Sequence, residues 1–156
     1  TLAEEPLDDY LPGYPHYPHS LIIEGMAQTG GLLLSQIQDF KQRVVLAKVT
    51  KALFHRIVGP GDQLRLTARI VSLQDEGAII EGSVEVEGQP QAEMEMTFAF
   101  LDESFGDRPF FIPGDLCRIL RTLRLFAVGV YPDGTPIKIP QHMLDGEYEM
   151  LEGEVT

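Results

Sequence analysis

Three side chains near the amino end of the chain could exchange protons with a substrate. His16 and His19 lie in a proline-rich stretch, and Glu24 lies in the apolar segment that follows it. An imidazole gains and loses a proton near neutral pH. A carboxyl group buried in apolar surroundings has a raised pKa and can donate a proton. Gln28 follows Glu24 by one helical turn, on the same face. These residues predict general acid–base chemistry, with Glu24 as the acid.

The elements around these side chains can be predicted from proline, glycine and apolar spacing. Residues 1–19 contain four prolines and are predicted to form a stiff, extended loop. Ser20 is predicted to cap a helix that runs from Leu21 to about Phe40. Apolar residues surround the axis in the first half of this segment, which indicates a buried helix. Its glycines would let a sheet or another chain approach closely: Gly25, Gly30 and Gly31.

From Val44 onward the apolar residues recur with a period of two, which is typical of strands. Turn residues separate the strand patterns at 59–62, 75–77 and 87–88. The long alternating runs predict antiparallel strands with one packed face and one polar face. We therefore expect an α+β fold in which a curved antiparallel sheet wraps around one long central helix.

Residues 103–156 are predicted to form a carboxyl-terminal extension packed on the domain formed by residues 1–102. A helix is expected to begin at Pro113 and to bury one apolar stripe: Leu116, Ile119, Leu120 and Leu123. Cys117, beside this stripe, is predicted to be a core thiol. Three arginines at helical spacing are expected to form a solvated face: Arg118, Arg121 and Arg124.

Composition excludes several classes of function. The 156 residues include 24 acidic and 12 basic side chains, and the formal charge of −12 would repel a nucleic-acid backbone. No apolar run approaches the roughly 20 residues that span a bilayer. The single cysteine excludes an internal disulfide and a multi-cysteine metal site. We expect a cytoplasmic protein without a cofactor.

Two segments resemble the signature of the hot-dog-fold 3-hydroxyacyl-acyl-carrier-protein dehydratases. Residues 10–31 read YLPGYPHYPHSLIIEGMAQTGG, and residues 54–66 read FHRIVGPGDQLRL. In that family a loop of the form His-Phe-Pro-Gly-x-Pro-x-Met-Pro-Gly leads into the central helix. The helix carries a glutamate or aspartate and, four residues later, a glutamine. The second segment resembles the family's Phe-Arg-Arg-x-Val-x-Pro-Gly-Asp-x-Leu strand and turn. The resemblance covers roughly residues 8–102.

The resemblance implies removal of water from a 3-hydroxyacyl thioester to give the trans-2-enoyl thioester, in fatty acid or related acyl biosynthesis. Glu24 matches the family's catalytic carboxylate, whereas Tyr10 stands at the position of its catalytic histidine. His19 replaces the glycine at the start of the helix. Because His16 and His19 both lie in the loop that carries the family's histidine, we predict that one of them has taken over the role of the base. Residues expected to contact the substrate are Gln28, Ser20 and Phe54.

The resemblance also implies a homodimer or a larger homo-oligomer, in which each site takes residues from two subunits. The acyl group would be carried by acyl carrier protein or by coenzyme A. Two other functions stay open: a silent homologue that binds acyl thioesters while its histidines pack locally, and a thioesterase. A metal site is a further alternative, with four residues as its ligands: Asp8, Asp9, His16 and His19.

Overall fold

The computed structural model describes residues 16–101 and 111–153, and the chain divides into two compact units, Thr1–Phe105 and Gly106–Thr156. In the first unit, helix α1 (His19–Ile37) is followed by four strands: β1 (Arg43–Phe54), β2 (Leu64–Gln74), β3 (Gly77–Val86) and β4 (Gln89–Leu101). In the second unit the helices are α2 (Pro113–Thr122), α3 (Leu125–Val128) and α4 (Gln141–Gly153). None of the described helices is long and apolar enough to cross a membrane.

The four strands form one antiparallel sheet in the order β1–β4–β3–β2. The turns predicted at 75–77 and 87–88 are confirmed as hairpin turns, the first between β2 and β3 and the second between β3 and β4. The second turn has positive φ at both Glu87 (51°) and Gly88 (75°), the backbone that a tight two-residue hairpin needs. Strands β1 and β2 are the edges of this sheet. The predicted antiparallel α+β fold is confirmed.

The packed face of the sheet and one stripe of α1 form the core. The buried members of the stripe recur at every fourth position: Ile22, Met26, Gly30 and Leu34. A methyl group at Gly25 would lie 3.2 Å from Leu66, and one at Gly30 would lie 3.2 Å from the Phe98 ring. On the sheet side, a methyl group at Gly82 would overlap the Met26 sulfur. Close approach of the helix to the sheet therefore depends on glycines, as the sequence indicated for Gly25 and Gly30.

Three predictions about α1 are wrong. The helix is not buried all round, because Leu21 is 44% exposed and Glu24 lies on an exposed face. Ser20 is not the cap: Pro18 holds that position, and its carbonyl accepts the amides of Leu21 and Ile22. The helix ends at Ile37 rather than near Phe40, because Asp39 and Phe40 have left-handed backbones that cannot continue it.

The second unit contains the helix predicted to begin at Pro113, but its buried face differs from the predicted stripe. Leu120 of that stripe is buried as predicted, together with Gly114 and Cys117, whereas Ile119 is 54% and Leu123 61% exposed. Helix α4 packs on this face so closely that a methyl group at Gly114 would lie 2.6 Å from the Gly146 carbonyl oxygen. The two helices are in close contact at Gly114 and Gly146, so the side of α2 that carries Gly114 is the buried one.

Candidate active site

The two segments of the signature come together where α1 begins. The Tyr17 amide donates a hydrogen bond to the Val58 carbonyl at 2.7 Å, so the loop before the helix is tied to the loop after β1. Val58 is buried and Tyr17 packs against the core. These residues are about 40 positions apart in the chain. The first turn of α1 therefore starts at a defined place against the end of the sheet.

His19 is the first residue of α1, and its ring stacks on that of Phe54, the last residue of β1. The ring centroids are 3.9 Å apart and the planes differ by only 2°. The histidine is exposed, while Phe54 is half-buried and packs against the core. Two residues predicted to belong to one site are thus in direct contact. A flat apolar surface supports an imidazole at the helix start.

Glu24 and Gln28 lie one turn apart, as predicted. The Gln28 amide nitrogen donates to Glu24 Oε1 at 2.9 Å. Both side chains are exposed in the single chain, so the expected burial of Glu24 is wrong for one protomer. The buried stripe of α1 faces the sheet, and Glu24 lies two positions from its nearest members, Ile22 and Met26. The carboxylate is therefore held in place but is not covered by the part of the chain that the structure describes.

The turn after β1 has the form expected from the second segment. The Gly59 amide donates to Asp62 Oδ2 at 2.8 Å, and the Asp62 amide donates to the Gly59 carbonyl at 3.2 Å. Gly61 has φ of +89°, which a residue with a side chain rarely adopts. This closed turn stabilises the loop that receives the Tyr17 amide.

Sequence reasoning missed one buried polar residue, Gln91. Its side-chain amide nitrogen donates to the Arg56 carbonyl at 2.9 Å, and its backbone carbonyl accepts the backbone amide of His55 at 2.7 Å. Strict alternation would have placed Gln91 on the polar face together with Glu93. The register between β3 and β4 shifts there, so that Gln91 is an extra residue of a bulge and turns inward. It anchors the segment that follows Phe54.

The remaining candidates are spread more widely. His16 is half-buried and Ser20 is exposed in the first turn of α1. Tyr10, Asp8 and Asp9 lie outside the described residues, so two of the four ligands of the hypothetical metal site cannot be placed. Within residues 16–101 and 111–153, no three histidine, cysteine or acidic side chains group as metal ligands.

The predicted row of three arginines is not one helical face: Arg118 and Arg121 lie on α2, whereas Arg124 follows its end with a left-handed backbone, φ 60°. Arg121 makes two hydrogen bonds to the Glu147 carboxylate of α4, Nε to Oε1 at 3.1 Å and an Nη to Oε2 at 3.0 Å. The Arg121 hydrogen bond lowers the pKa of Glu147. Cys117 is buried beside this pair, which confirms the predicted core thiol, and burial raises the pKa of its thiol. The cluster stabilises the second unit and carries no catalytic geometry.

Comparison with known proteins agrees with the resemblance. Residues 8–95 match the family model described as a FabA-like domain. A 3-hydroxyacyl-[acyl-carrier-protein] dehydratase FabZ of Streptococcus equi subsp. zooepidemicus is 39% identical over 101 residues, 64% of this chain and 72% of the relative. The FabZ dehydratase of Streptococcus mutans is 38% identical over 100 residues, 64% of this chain and 71% of the relative.

Solved structures with the same fold are more distant in sequence. The hexameric thioesterase y2039 from Yersinia pestis has a TM-score of 0.52 at 20% identity, covering 60% of this chain and 78% of that one. The hexameric broad specificity acyl-coenzyme A thioesterase HI0827 has a TM-score of 0.53 at 17% identity, covering 97% of this chain and 92% of that one. At these identities the likeness establishes the fold alone.

Proposed function

Because this chain belongs to the FabA-like family, we propose that it is a dehydratase that acts on 3-hydroxyacyl thioesters in fatty acid or related acyl biosynthesis. The observation that carries the proposal is the position of the Glu24–Gln28 pair. Both residues lie on the helix that starts at the signature loop, at the spacing of the family's carboxylate and glutamine. The substrate is a 3-hydroxyacyl group on acyl carrier protein or coenzyme A, and the product is the trans-2-enoyl thioester.

The chemistry needs one base, one acid and a polarised carbonyl. The base removes a proton from C2, the electron pair of that C–H bond forms the C2–C3 double bond, and the C3–O bond breaks. The acid protonates the departing hydroxyl, which leaves as water. Proton transfer back from base to acid resets the site. The amides of the first turn of α1, which have no side-chain cap, would stabilise negative charge that develops on the thioester oxygen.

We assign the acid to Glu24 and the base to His19. Glu24 is held by Gln28 and is the only acidic residue of α1. His19 stands at the helix start beside the amides that would bind the thioester carbonyl, and Phe54 supports its ring. His16, three residues earlier in the loop, is the competing candidate for the base. Both lie close to Tyr10 in the chain, the position at which the family has its histidine.

An exposed carboxylate needs a cover to act as an acid near neutral pH, and we propose that a second copy of the chain supplies it. Glu24 and Leu21 are exposed on α1, and edge strands β1 and β2 each carry exposed apolar residues. An unpaired edge with apolar side chains is a common site of association. Light scattering at micromolar concentration should give at least twice the 17.4 kDa of one chain, and a monomer would contradict this proposal.

The experiment that tests the function is incubation with crotonyl thioesters and longer enoyl thioesters of coenzyme A and acyl carrier protein. We expect loss of the enoyl absorbance through hydration, with no release of free thiol. Release of thiol without hydration would support the thioesterase alternative. Binding without either reaction would support a silent homologue. We infer a cytoplasmic location, where the single, buried thiol of Cys117 stays reduced.

A further inference from the structure

The stack of His19 on Phe54 restricts where the imidazole nitrogens can point. The planes are parallel within 2°, so the ring N–H and the nitrogen lone pair lie in a plane parallel to the phenyl ring. Neither nitrogen can turn toward Phe54 without breaking the stack. Both nitrogens therefore point sideways from the edge of the imidazole. Proton transfer at a nitrogen follows the direction of its lone pair, so this orientation decides which substrate proton His19 can reach.

Phe54 is a rigid support for this ring. It pairs with Ala92 of the inner strand β4, and its side chain packs against the core. The residue after it is fixed by the hydrogen bond from the His55 backbone amide to the Gln91 backbone carbonyl. Gln91 also holds the Arg56 carbonyl from a fully buried position. The backbone that carries Phe54 is thus anchored on both sides, whereas His19 itself is exposed.

The backbone of His19 is anchored from the other direction. The Tyr17 amide bonds to the Val58 carbonyl two residues before His19, and Pro18 fixes the start of the helix. With both backbones held, the remaining freedom of His19 lies in its two side-chain torsions. The stack on the Phe54 ring restricts these torsions.

We infer that Phe54 is a positioning residue that holds the His19 imidazole in the orientation needed for proton removal from C2. The aromatic ring acts through His19 and not through the substrate. Because it takes His19 as the base, this role rests on the proposed function. It predicts that a flat ring, rather than apolar volume alone, is required at position 54.

A matched pair of variants separates ring from volume. Phe54→Leu retains an apolar side chain for the core but removes the flat surface, and Phe54→Tyr retains the surface. With a 3-hydroxyacyl thioester, we expect Phe54→Leu to lower kcat by about 10-fold to 100-fold, the scale of a misplaced catalytic group, with little change in KM. Phe54→Tyr should keep most of kcat. Circular dichroism would verify that both variants are folded.

A double-mutant cycle tests whether Phe54 acts through His19. In a His19→Ala background, Phe54→Leu should cause no further loss of kcat, because the group it positions is absent. Equal losses in both backgrounds, or a loss confined to KM, would overturn the inference and make Phe54 a wall of the acyl site.

An NMR measurement tests the stack directly, even if no dehydratase activity is detected. The carbon-bound ring protons of His19 lie over the Phe54 face, so their NMR signals should move upfield in the wild type and return in Phe54→Leu. The exposed His55 serves as the internal reference. Unshielded His19 protons in the wild type would overturn the stack itself. A wild type with shielded protons but no hydration activity would overturn the proposed function, and with it the catalytic purpose of the stack.

Discussion

The Gln28 side-chain amide donates to Glu24 Oε1 at 2.9 Å across one turn of α1, on a face of the helix that its own sheet does not cover. The pair is an ordinary i, i+4 hydrogen bond, of the kind that stabilises a helix only slightly. Its value to the site is geometric, because one carboxylate oxygen is fixed and the orientation of the group is set.

Glu24→Gln should leave the fold intact and lower turnover by at least about 100-fold, because the amide keeps the shape but cannot donate the proton. Steady-state kinetics with a 3-hydroxyacyl thioester would measure the loss. Glu87→Gln, an exposed change in the turn between β3 and β4, is the matched control and should be neutral. Full activity in folded Glu24→Gln would remove Glu24 from the mechanism.

The two histidines of the loop can be distinguished by alanine variants. His19→Ala should lower kcat by about 100-fold or more if it is the base, while His16→Ala should lower it much less. Steady-state kinetics of both variants would show which histidine is the base. A large loss in His16→Ala with a small loss in His19→Ala would transfer the role to His16. Small and equal losses would favour local packing of both rings.

The contact between α1 and the sheet can be tested with two neighbouring glycines. A methyl group at Gly31 would meet Phe98 at an ordinary 3.8 Å, so Gly31→Ala should stabilise the helix by about 1 kcal/mol. At Gly30 the methyl group would lie 3.2 Å from the same ring, so the ring would have to shift to make room, and overpacking costs about 1–3 kcal/mol. Urea unfolding at one fixed protein concentration should therefore find Gly30→Ala the less stable of the two. The reverse order would mean that Phe98 can move aside.

Much of the first unit could be predicted because its local patterns agree with its tertiary packing. The period-two alternation predicted one packed face, on which Ile80, Val84 and Met96 are buried, and the turn residues located both hairpins. The errors occurred where packing overrides pattern. Leu21 is exposed although it belongs to an apolar run, and Gln91 is buried because a bulge changes the phase of β4. A bulge leaves no signal in alternation alone.

Contacts within one helix were predictable from the sequence, whereas contacts between elements were not. The i, i+4 relation between Glu24 and Gln28 follows from helical spacing, and the structure confirms it. The stack between His19 and Phe54 joins residues 35 positions apart, which no local pattern can indicate. In the second unit, the Arg121–Glu147 pair was missed for the same reason. Long-range contacts depend on how the elements pack against each other. The effect of a glycine such as Gly114 on this packing depends on which element lies opposite it, and the sequence does not show that.

The Arg121–Glu147 pair should make the second unit sensitive to acid. The hydrogen bonds lower the pKa of Glu147 in the folded state, so their stabilisation is present above the ordinary pKa of the group, 4.5, and is lost as the pH falls through the folded pKa. Arg121→Gln should lower the opening free energy of α2 at pH 7 by about 1 kcal/mol. This difference from wild type should shrink at pH values below 4.5.

Hydrogen exchange of the α2 amides, measured by NMR at pH 7 and at a pH below 4.5, would give these opening free energies. Arg124→Gln is the matched control, since Arg124 is an exposed residue of the same row at the start of α3. A difference that is constant with pH would show that Arg121 stabilises α2 by packing rather than through the Glu147 carboxylate.

The last prediction concerns Tyr10, which lies outside the described residues but stands at the family's histidine position. Tyr10→His introduces an imidazole that titrates near neutral pH, whereas a phenol with a pKa near 10 is a poor base. If the loop keeps the geometry of the family, this single change should raise dehydratase activity without altering acyl binding.

Adding His19→Gly to Tyr10→His should raise activity further if His19 has no catalytic role, because removing the side chain opens the helix start to the thioester carbonyl. If His19 is the base, as we propose, the added change should instead lower activity below that of Tyr10→His alone. Kinetics of the single and double variants would therefore assign the base by the direction of the change. No change in either variant, with acyl binding intact, would exclude this loop as the reaction centre.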